Sequence, residues 1–375
     1  MNILIIAPEE IPVPPFAGGS VENCIINIAK RLAAKHKVTI VSRRHKRYPN
    51  YKKTGNLTMI RTPSGSAQQY IKHVMHKLKG NTYDFIQIDN RPRFVSVVRQ
   101  YYPNTPISIF LHSLTFVSNP RISTVEARRH LSKANLIIAN SQSLANEVKH
   151  KFPMLKHKIK HVLLGVDLKQ FRPPTNEQRH NIRNLHRLGR TFTIVYAGRL
   201  IPKKGIPVLI QAAKIVHKSI PATRLVIAGS IGGKAYKQKL RRLAANSRVP
   251  TKFLGRVNLN RMHQVYWMGD CFVCPSQSSE PFGLVNVEAM ASGTPAVASR
   301  NGGIPEIIRH NRNGLLVRQY RNPQAFAGQI LKIAKNRRAA AQLAKQARIE
   351  MIRKFSWQQT ASKLSEIYSA RSSTK

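Results

Sequence analysis

The most constraining part of the sequence is the stretch Cys271–Glu306, in which short apolar runs alternate with a helical pattern. Cys271–Cys274 and Ala296–Ala298 are apolar runs of strand length, and Leu284–Ala291 carries apolar residues at helical spacing. Gly293 is expected to end that helix, because glycine adopts the left-handed cap conformation without strain. This strand–loop–helix repeat predicts a parallel β-sheet covered by helices.

The same alternation extends over the rest of the chain and predicts an α/β fold. A chain of 375 residues is longer than a single core usually supports, so we expect two domains. The predicted domains are residues 1–168 and 169–355, separated by a proline-rich linker and followed by a helical segment, 356–375. The basic, polar stretch 43–54 is predicted to form an exposed loop, and the stretch 175–190 has no apolar periodicity that would serve a core.

The loops of this stretch suit a ligand that carries both negative charge and hydroxyl groups. Helix N-termini bind anions, because their first N–H groups are unpaired and the helix dipole is positive there. Glu280 and Glu288 cannot bind phosphate and are expected to serve hydroxyls or protons, although a helix-capping acid and a surface acid are the alternative. Eight residues rise about 12 Å along a helix, more than the roughly 5–5.5 Å of a retaining glycosidase pair. The pattern therefore favours a sugar nucleotide.

The charge of the chain is strongly positive, with 63 basic and 15 acidic residues and a net charge of +48. Such a balance predicts polyanionic surroundings, such as anionic lipid or an acidic polymer. Nucleic acid is not expected as the partner, since no nucleic-acid module is present and aromatic residues make up only 7%. Residues 66–79 form a basic amphipathic helix pattern that suits an anionic surface.

The cysteines and the first residues give a weaker indication of compartment. Cys24, Cys271 and Cys274 are the only cysteines, and the latter two fall in a predicted strand, which favours buried packing over redox or metal chemistry. The first residues of the sequence predict a β-strand and do not show a signal-peptide pattern. We expect a cytoplasmic protein.

Four segments carry a family resemblance. Glu280–Glu288 resembles the E-x7-E signature of family 4 glycosyltransferases, and Gly198–Gly205 resembles the G-R-L-x-x-x-K-G segment of that family. Gly18-Gly19 resembles its N-domain glycine loop, and Phe355–Trp357 resembles the start of its last helix. The resemblance implies the GT-B fold, with an N-terminal acceptor domain and a C-terminal donor-nucleotide domain, both Rossmann-like, facing across a cleft. It also implies that the last helix crosses back to the N-terminal domain.

The resemblance also implies a role for individual side chains. Arg199 and Lys204 resemble the pair that neutralises the leaving diphosphate, and solvated surface cations are the alternative. Glu288 resembles the glutamate that holds the ribose hydroxyls, and Glu280 the one that faces the transferred sugar. His112 resembles the N-domain histidine near the reaction centre, and a structural histidine is the alternative.

Backbone groups complete the predicted site. Gly18 and Gly19 are expected to let the main chain approach the phosphates or the acceptor. Gly283 and Leu284 are expected to donate N–H groups to the diphosphate, at about 0.3–1 kcal/mol for each exposed helix-start interaction.

The function implied by the resemblance is a retaining glycosyltransferase. It would move a hexose-like sugar from a UDP- or GDP-sugar to a cell-envelope, lipid-linked or polysaccharide acceptor. No D-x-D motif is present, so we expect no metal and no other cofactor. The expected place of work is the inner face of a membrane.

A second function from another class stays open. Pro12–Pro15 resembles a spore-coat-associated branch of the family, so the alternative is a catalytically weak protein with a structural or polyanion-binding role in the coat. The presence of the four charged residues Arg199, Lys204, Glu280 and Glu288 favours the enzyme. The donor base, the sugar, the acceptor and the oligomeric state have no decisive signature.

Overall fold

The computed structural model describes residues 1–16 and 18–372 of the chain. The described chain divides into two compact units. Unit 1 contains Met1–Leu164 and the segment that begins at Trp357, and unit 2 contains Gly165–Ser356. The predicted boundary after residue 168 lies a few residues beyond the point where the units divide. No helix in the described residues is both long enough and apolar enough to cross a membrane.

Unit 1 is built on a sheet whose strands lie in the order β3-β4-β2-β1-β5-β6-β7-β8. All neighbouring strands pair in parallel except β3 and β4. The central strands are buried on both faces, which explains their continuous apolar runs. The strands are β1 (Asn2–Ile6), β2 (Lys37–Arg43), β3 (Tyr51–Thr54), β4 (Leu57–Thr62), β5 (Phe85–Asp89), β6 (Ile107–Leu111), β7 (Leu136–Ala139) and β8 (Ile159–His161).

Helices connect these strands and bury one face against the sheet. In the second helix, for example, Tyr70, Ile71, Val74 and Met75 lie in the core, and Ser66 caps the N-terminus through a capping box. The helices of this part of the chain are α1 (Ser20–Leu32), α2 (Ala67–Lys77), α3 (Pro92–Tyr101), α4 (Thr124–Leu131) and α5 (Gln142–Lys151).

Unit 2 is built on a fully parallel sheet with the strand order β11-β10-β9-β12-β13-β14. The strand order reverses between the neighbours β9 and β12. Ligands of open α/β sheets bind beyond the carboxyl ends of the strands at such a reversal. The strands are β9 (Phe192–Ala197), β10 (Thr223–Ala228), β11 (Thr251–Gly255), β12 (Cys271–Cys274), β13 (Ala296–Ser299) and β14 (Leu315–Val317).

The helices of unit 2 include those predicted from the stretch Cys271–Glu306. Gly293 has a φ of +76° and follows the helix Leu284–Ala291, which confirms the predicted left-handed stop. Cys271 and Cys274 are buried in β12, as the packing interpretation requires. The helices are α6 (Asn176–Leu185), α7 (Ile206–Ser219), α8 (Lys234–Ser247), α9 (Met262–Met268), α10 (Leu284–Ala291), α11 (Ile304–Ile307), α12 (Pro323–Lys335) and α13 (Arg337–Lys354).

The last helix, α14 (Trp357–Ser372), belongs to unit 1 although it follows unit 2 in the sequence. It packs against α1, and Thr360 donates a hydrogen bond to the carbonyl of Leu163 at 2.9 Å. The ring of Tyr368 stacks on Phe85 of β5, with 4.0 Å between the ring centroids. The C-terminal segment is thus part of the core of unit 1.

The structure differs from the sequence interpretation in two polar stretches. The stretch 43–54 contains β3, an exposed antiparallel edge strand whose lysines protect the sheet edge, so it lacks the apolar alternation of a core strand. The stretch 175–190 contains α6, which has a capping box and is held mainly through arginines. Arg183 donates to the carbonyl of Met268 at 2.6 Å and lies 3.3 Å from Asp270, so polar contacts replace an apolar stripe there.

Candidate functional site

The candidate site of unit 2 lies at the carboxyl ends of β9, β12 and β13. Arg199 and Lys204 follow β9, Glu280 follows β12, and the glycine pair Gly302-Gly303 follows β13. Because these strands are adjacent and parallel, the loops that follow them meet at one edge of the sheet. The sequence motifs therefore come together at the reversal of strand order.

Lys204 and Glu280 form the charged centre of this edge. The ammonium group of Lys204 pairs with Oε2 of Glu280, and Ser276 donates to the same oxygen at 2.8 Å. The side chains of Lys204 and Glu280 are 19% and 13% exposed, so solvent screens the pair only partly. Residues that are 76 positions apart in sequence thereby share one hydrogen-bonded cluster.

The loop that carries Glu280 is tied to its neighbours through backbone groups. Gly303 donates its N–H to the carbonyl of Glu280 at 2.8 Å, and Asn301 donates its side-chain amide to the carbonyl of Ser276 at 2.7 Å. Gly302 has a φ of +52° and lies so close to the backbone of Glu280 that a Cβ atom there would overlap it. A glycine is therefore required at position 302 for the loop to hold the carboxylate in this position.

The start of α10 offers unpaired backbone donors beside Glu280. Gly283 caps the helix with a φ of +95°, a conformation that favours glycine. A Cβ at this position would lie 2.6 Å from the side-chain nitrogen of Asn286. The N–H groups of Gly283 and Leu284 make no hydrogen bond with another described residue, so both are available to an anion.

Glu288 lies in the next turn of α10 and has a partner that the sequence did not reveal. Tyr266 of α9 donates its hydroxyl to Oε2 of Glu288 at 2.6 Å. Burial raises the pKa of Glu288 to about 7, and the hydrogen bond from Tyr266 opposes this shift. Glu288 therefore titrates near neutral pH. Its other oxygen, Oε1, does not receive the hydrogen bond from Tyr266.

Arg199 is an exposed cation at the same edge. Its guanidinium group forms no ion pair with any residue of the described chain, and its carbonyl accepts a hydrogen bond from Tyr196 at 3.0 Å. The backbone of the segment is thus held while the side chain stays free for a negatively charged ligand.

Unit 1 carries the remaining predicted residues at the carboxyl ends of β1 and β6. Gly18 and Gly19 precede α1 with φ values of +73° and +93°. Glu22 lies in the first turn of α1, is 4% exposed, and a Cβ on Gly19 would lie 2.8 Å from its Oε2. Burial raises the pKa of Glu22 to about 7, with a smaller contribution in the same direction from Asp89.

His112 follows β6 and is held by a carboxylate from β5. Its Nε2 lies 2.8 Å from Oδ1 of Asp89, and its backbone N–H donates to the side chain of Asn90 at 2.8 Å. The side chains of His112 and Asp89 are 7% and 1% exposed. Asp89 and Asn90 end an apolar strand pattern, so their position after Phe85–Ile88 was the signal in the sequence that could have found them.

Two family models match the chain and together span most of it. A model described as Glycosyltransferase Family 4 matches residues 17–170, and one described as Glycosyl transferases group 1 matches residues 178–350. The first covers most of unit 1 and the second most of unit 2, including every predicted site residue of that unit.

Full-length and partial relatives agree with these matches. The chain is 29% identical to the Spore coat protein SA of Bacillus subtilis over 98% of this chain and 99% of that protein. It is 30% identical to a GDP-mannose-dependent α-(1-6)-phosphatidylinositol monomannoside mannosyltransferase of Mycobacterium tuberculosis over 54% of this chain and 53% of that protein.

Solved structures show the same fold. The sucrose-phosphate synthase of Thermosynechococcus elongatus superimposes with a TM-score of 0.81 at 21% identity, with complete coverage of both chains. The Anabaena HepE protein in complex with UDP gives a TM-score of 0.80 at 21% identity over 99% of this chain and all of that one. These likenesses confirm the predicted GT-B fold.

Proposed function

The chain belongs to glycosyltransferase family 4, and on this premise we propose that it transfers a hexose from a nucleotide-diphosphate sugar, with retention of the anomeric configuration. The observation that carries the proposal is the cluster at the carboxyl edge of unit 2. There Glu280, Lys204 and the free N–H groups of α10 lie on adjacent strand ends. A cation, unpaired amides and a carboxylate in one place match the phosphate and hydroxyl groups of such a donor.

The diphosphate is assigned to the positive side of this cluster. Lys204, Arg199 and the N–H groups of Gly283 and Leu284 would bind its oxygens and stabilise the charge that develops as the sugar leaves. These groups supply positive charge without a metal ion, so we propose a metal-independent reaction. Turnover that is unchanged by EDTA would support this part, and a requirement for added Mg²⁺ would contradict it.

The two glutamates are assigned to the two ends of the donor. Glu288, with one carboxylate oxygen bound by Tyr266, would accept hydrogen bonds from the ribose hydroxyls. Glu280 would accept a hydrogen bond from a hydroxyl of the transferred sugar through Oε1, while Ser276 and Lys204 contact its Oε2. The proposed donors are UDP- and GDP-sugars, and no other cofactor is proposed.

The proposed chemistry needs no protein nucleophile. The bond between the anomeric carbon and the diphosphate oxygen breaks, and the acceptor oxygen bonds to that carbon on the same face. The acceptor proton passes to the leaving phosphate oxygen, which balances the reaction. In unit 1, His112 would hydrogen-bond a substrate hydroxyl, and Gly18 and Gly19 would allow close approach of the backbone to the substrate.

Thermal-shift screening against UDP-, GDP- and ADP-sugars, followed by a transfer assay, tests the proposal. A ligand at 100 times its Kd stabilises the protein by about 2.7 kcal/mol, which is enough to rank the donors. Glu280→Gln keeps the shape of the side chain and removes its charge, so we expect donor binding to survive and turnover to fall at least tenfold. Turnover that is equal in Glu280→Gln and the wild type would contradict the assigned role of this carboxylate.

The acceptor is proposed to be presented at an anionic surface. Helix α2 exposes Lys72, His73, His76 and Lys77, whereas its apolar face lies in the core of unit 1. Contact with a membrane would therefore use the charged face alone, at roughly 1 kcal/mol for each basic residue near the surface. This is consistent with a lipid-linked or other cell-envelope acceptor at the inner face of a membrane.

Liposome sedimentation at low salt tests this surface. The double variant Lys72→Glu/Lys77→Glu should lose binding to anionic vesicles. The matched variant Lys237→Glu/Arg241→Glu makes the same charge change on exposed residues of α8 and should retain binding. Equal loss in both variants would show that net charge, not α2, governs the association.

A second candidate function is a structural role, favoured by full-length similarity to a protein named Spore coat protein SA. In this case the site would bind a nucleotide sugar without turning it over. Tight donor binding with no transfer or hydrolysis of any donor, and no effect of Glu280→Gln on the behaviour of the protein, would favour the structural role over the enzyme.

A further inference from the structure

A chain of buried polar side chains leads from α14 to His112. Tyr368 donates its hydroxyl to Oε1 of Gln87 at 2.6 Å, and Gln87 donates its amide Nε2 to Oδ2 of Asp89 at 2.7 Å. The other oxygen of Asp89 lies 2.8 Å from Nε2 of His112. Gln87, Asp89 and Tyr368 are each 1% exposed or less, so water does not compete for these bonds.

The chemistry of each group fixes the direction of this chain. The single proton of the Tyr368 hydroxyl goes to the carbonyl oxygen of Gln87, so the Gln87 amide presents its NH₂ to Asp89. An ionised carboxylate only accepts, so Asp89 takes the N–H from Nε2 of His112.

Whenever the imidazole is neutral, this contact places its proton on Nε2 and its lone pair on Nδ1. Within residues 1–16 and 18–372, no group hydrogen-bonds to Nδ1 of His112. Nδ1 is therefore the nitrogen that remains for a ligand.

The ring of His112 is also held from other sides. It stacks on Phe110, with 4.7 Å between the centroids, and its backbone N–H is bound by Asn90, which has a φ of +56°. A non-glycine residue in this conformation is uncommon and is kept where the surrounding structure requires it. The orientation of the imidazole is thus fixed by stacking, by backbone contact and by the polar chain.

We propose that Asp89, Gln87 and Tyr368 are positioning residues that hold His112 in its Nε2–H tautomer and leave Nδ1 to accept a hydrogen bond from a hydroxyl of the substrate. The proposal rests on the proposed transferase function for the identity of that hydroxyl. It also gives α14 a part in the site, because Tyr368 is 281 positions from Gln87 in the sequence.

The tautomer is tested without any activity measurement, by ¹⁵N NMR of the full chain labelled at histidine. A His112→Gln spectrum identifies the resonances of this residue among the 14 histidines. In the wild type, Nε2 should be protonated and Nδ1 unprotonated. Asp89→Asn should favour Nδ1–H, since an asparagine amide can offer an N–H in place of the lost acceptor. Tyr368→Phe removes the bond that fixes the Gln87 amide, so Asp89 is held less firmly and the Nε2 resonance of His112 should shift.

A matched control separates this effect from a general loss of packing. Tyr102 donates its hydroxyl to the carbonyl of Leu78 at 3.2 Å, also in unit 1. Tyr102→Phe should therefore leave the resonances of His112 unchanged. A wild-type His112 that is protonated on Nδ1, or a Tyr368→Phe spectrum identical to the wild type, would overturn the proposal.

Kinetics with the donor found by screening provide the second readout. Tyr368→Phe should lower kcat roughly tenfold with a small change in KM, as expected when an outer hydrogen bond orients a reacting group. It should also change the pH dependence of kcat/KM, while Tyr102→Phe retains wild-type values. If the NMR results hold and the wild type transfers no sugar, the tautomer assignment stands and the proposed transferase function fails. If the wild type is active but Tyr368→Phe has unchanged kinetics, the positioning role fails.

Discussion

Glu288 provides a quantitative test of nucleotide binding, because burial raises the pKa of its carboxyl group to about 7. One oxygen is bound by Tyr266, so in the proposed function the ribose hydroxyls would donate to the other oxygen of the carboxylate. If only the ionised form binds, a pKa of about 7 multiplies the apparent Kd by about 11 at pH 6 and about 1.1 at pH 8. We therefore expect roughly tenfold weaker donor binding at pH 6 than at pH 8.

The assay is isothermal titration calorimetry with an intact nucleotide sugar, whose diphosphate diester does not titrate between these pH values. Glu288→Gln should bind more weakly than the wild type at pH 8 and should show no pH dependence over this range. Glu177→Gln, an exposed change in the same unit, should keep the tenfold difference. Equal wild-type affinity for the donor at pH 6 and pH 8 would refute the assignment. It would also be refuted if Glu288→Gln lost as much affinity as the wild type between pH 8 and pH 6.

The free energy of unfolding of the ligand-free protein should also depend on pH through Glu288. The folded-state pKa of about 7 lies above the reference value of 4.5, so the folded protein holds the Glu288 proton more tightly than the unfolded chain does. The stabilisation that results from this tighter proton binding is fully present below pH 4.5 and is lost as the pH rises through 7. Between pH 5 and pH 7 the wild type should lose roughly 2 kcal/mol relative to Glu288→Gln in denaturant unfolding. A difference that does not change with pH would contradict the raised pKa.

Three further predictions follow from single contacts. Lys204→Met should weaken donor binding roughly 10- to 100-fold by calorimetry, since a charge-assisted bond is worth about 1.5–3 kcal/mol, whereas the exposed control Lys214→Met should bind normally. Gly283→Ala should lower the free energy of unfolding and weaken donor binding, because its φ of +95° and a 2.6 Å contact both oppose a Cβ. Gly233→Ala, with a φ of +86° and open space, should show only the backbone cost of about 1 kcal/mol. Thr175→Ala should cost about 1 kcal/mol in urea unfolding by removing a helix cap, and Thr175→Ser should retain it.

The fold could be predicted where the hydrophobic pattern is local and the element is buried. The central strands of both sheets, the helices that cover them and the stop at Gly293 all follow from apolar spacing and backbone freedom. The hydrophobic pattern did not predict β3, because an exposed edge strand has no buried face and therefore no apolar alternation. It failed again at α6, because arginine–carbonyl contacts rather than an apolar stripe hold that helix.

The site could be predicted only in part. Glu280, Lys204 and the start of α10 were visible, because they lie in short motifs that follow strand ends. Tyr266 and Asp89, the partners of Glu288 and His112, were not predicted. Each comes from a different element from the residue that it contacts. Asp89 does end an apolar strand pattern, but nothing in the sequence pairs it with His112, or Tyr266 with Glu288.

The sequence by itself determined the order of the buried strands and of the helices that cover them, the glycine positions and the residue types available to a ligand, since these depend on neighbours within a few positions. Only the tertiary structure decided which charges pair, which nitrogen of His112 is left for a ligand and how strongly Glu288 holds its proton. Those properties depend on burial and on partners such as Glu280 for Lys204 and Tyr368 for Gln87, which are 76 and 281 positions away. Folding sets these contacts through sheet order and helix packing, which no local stretch of sequence contains.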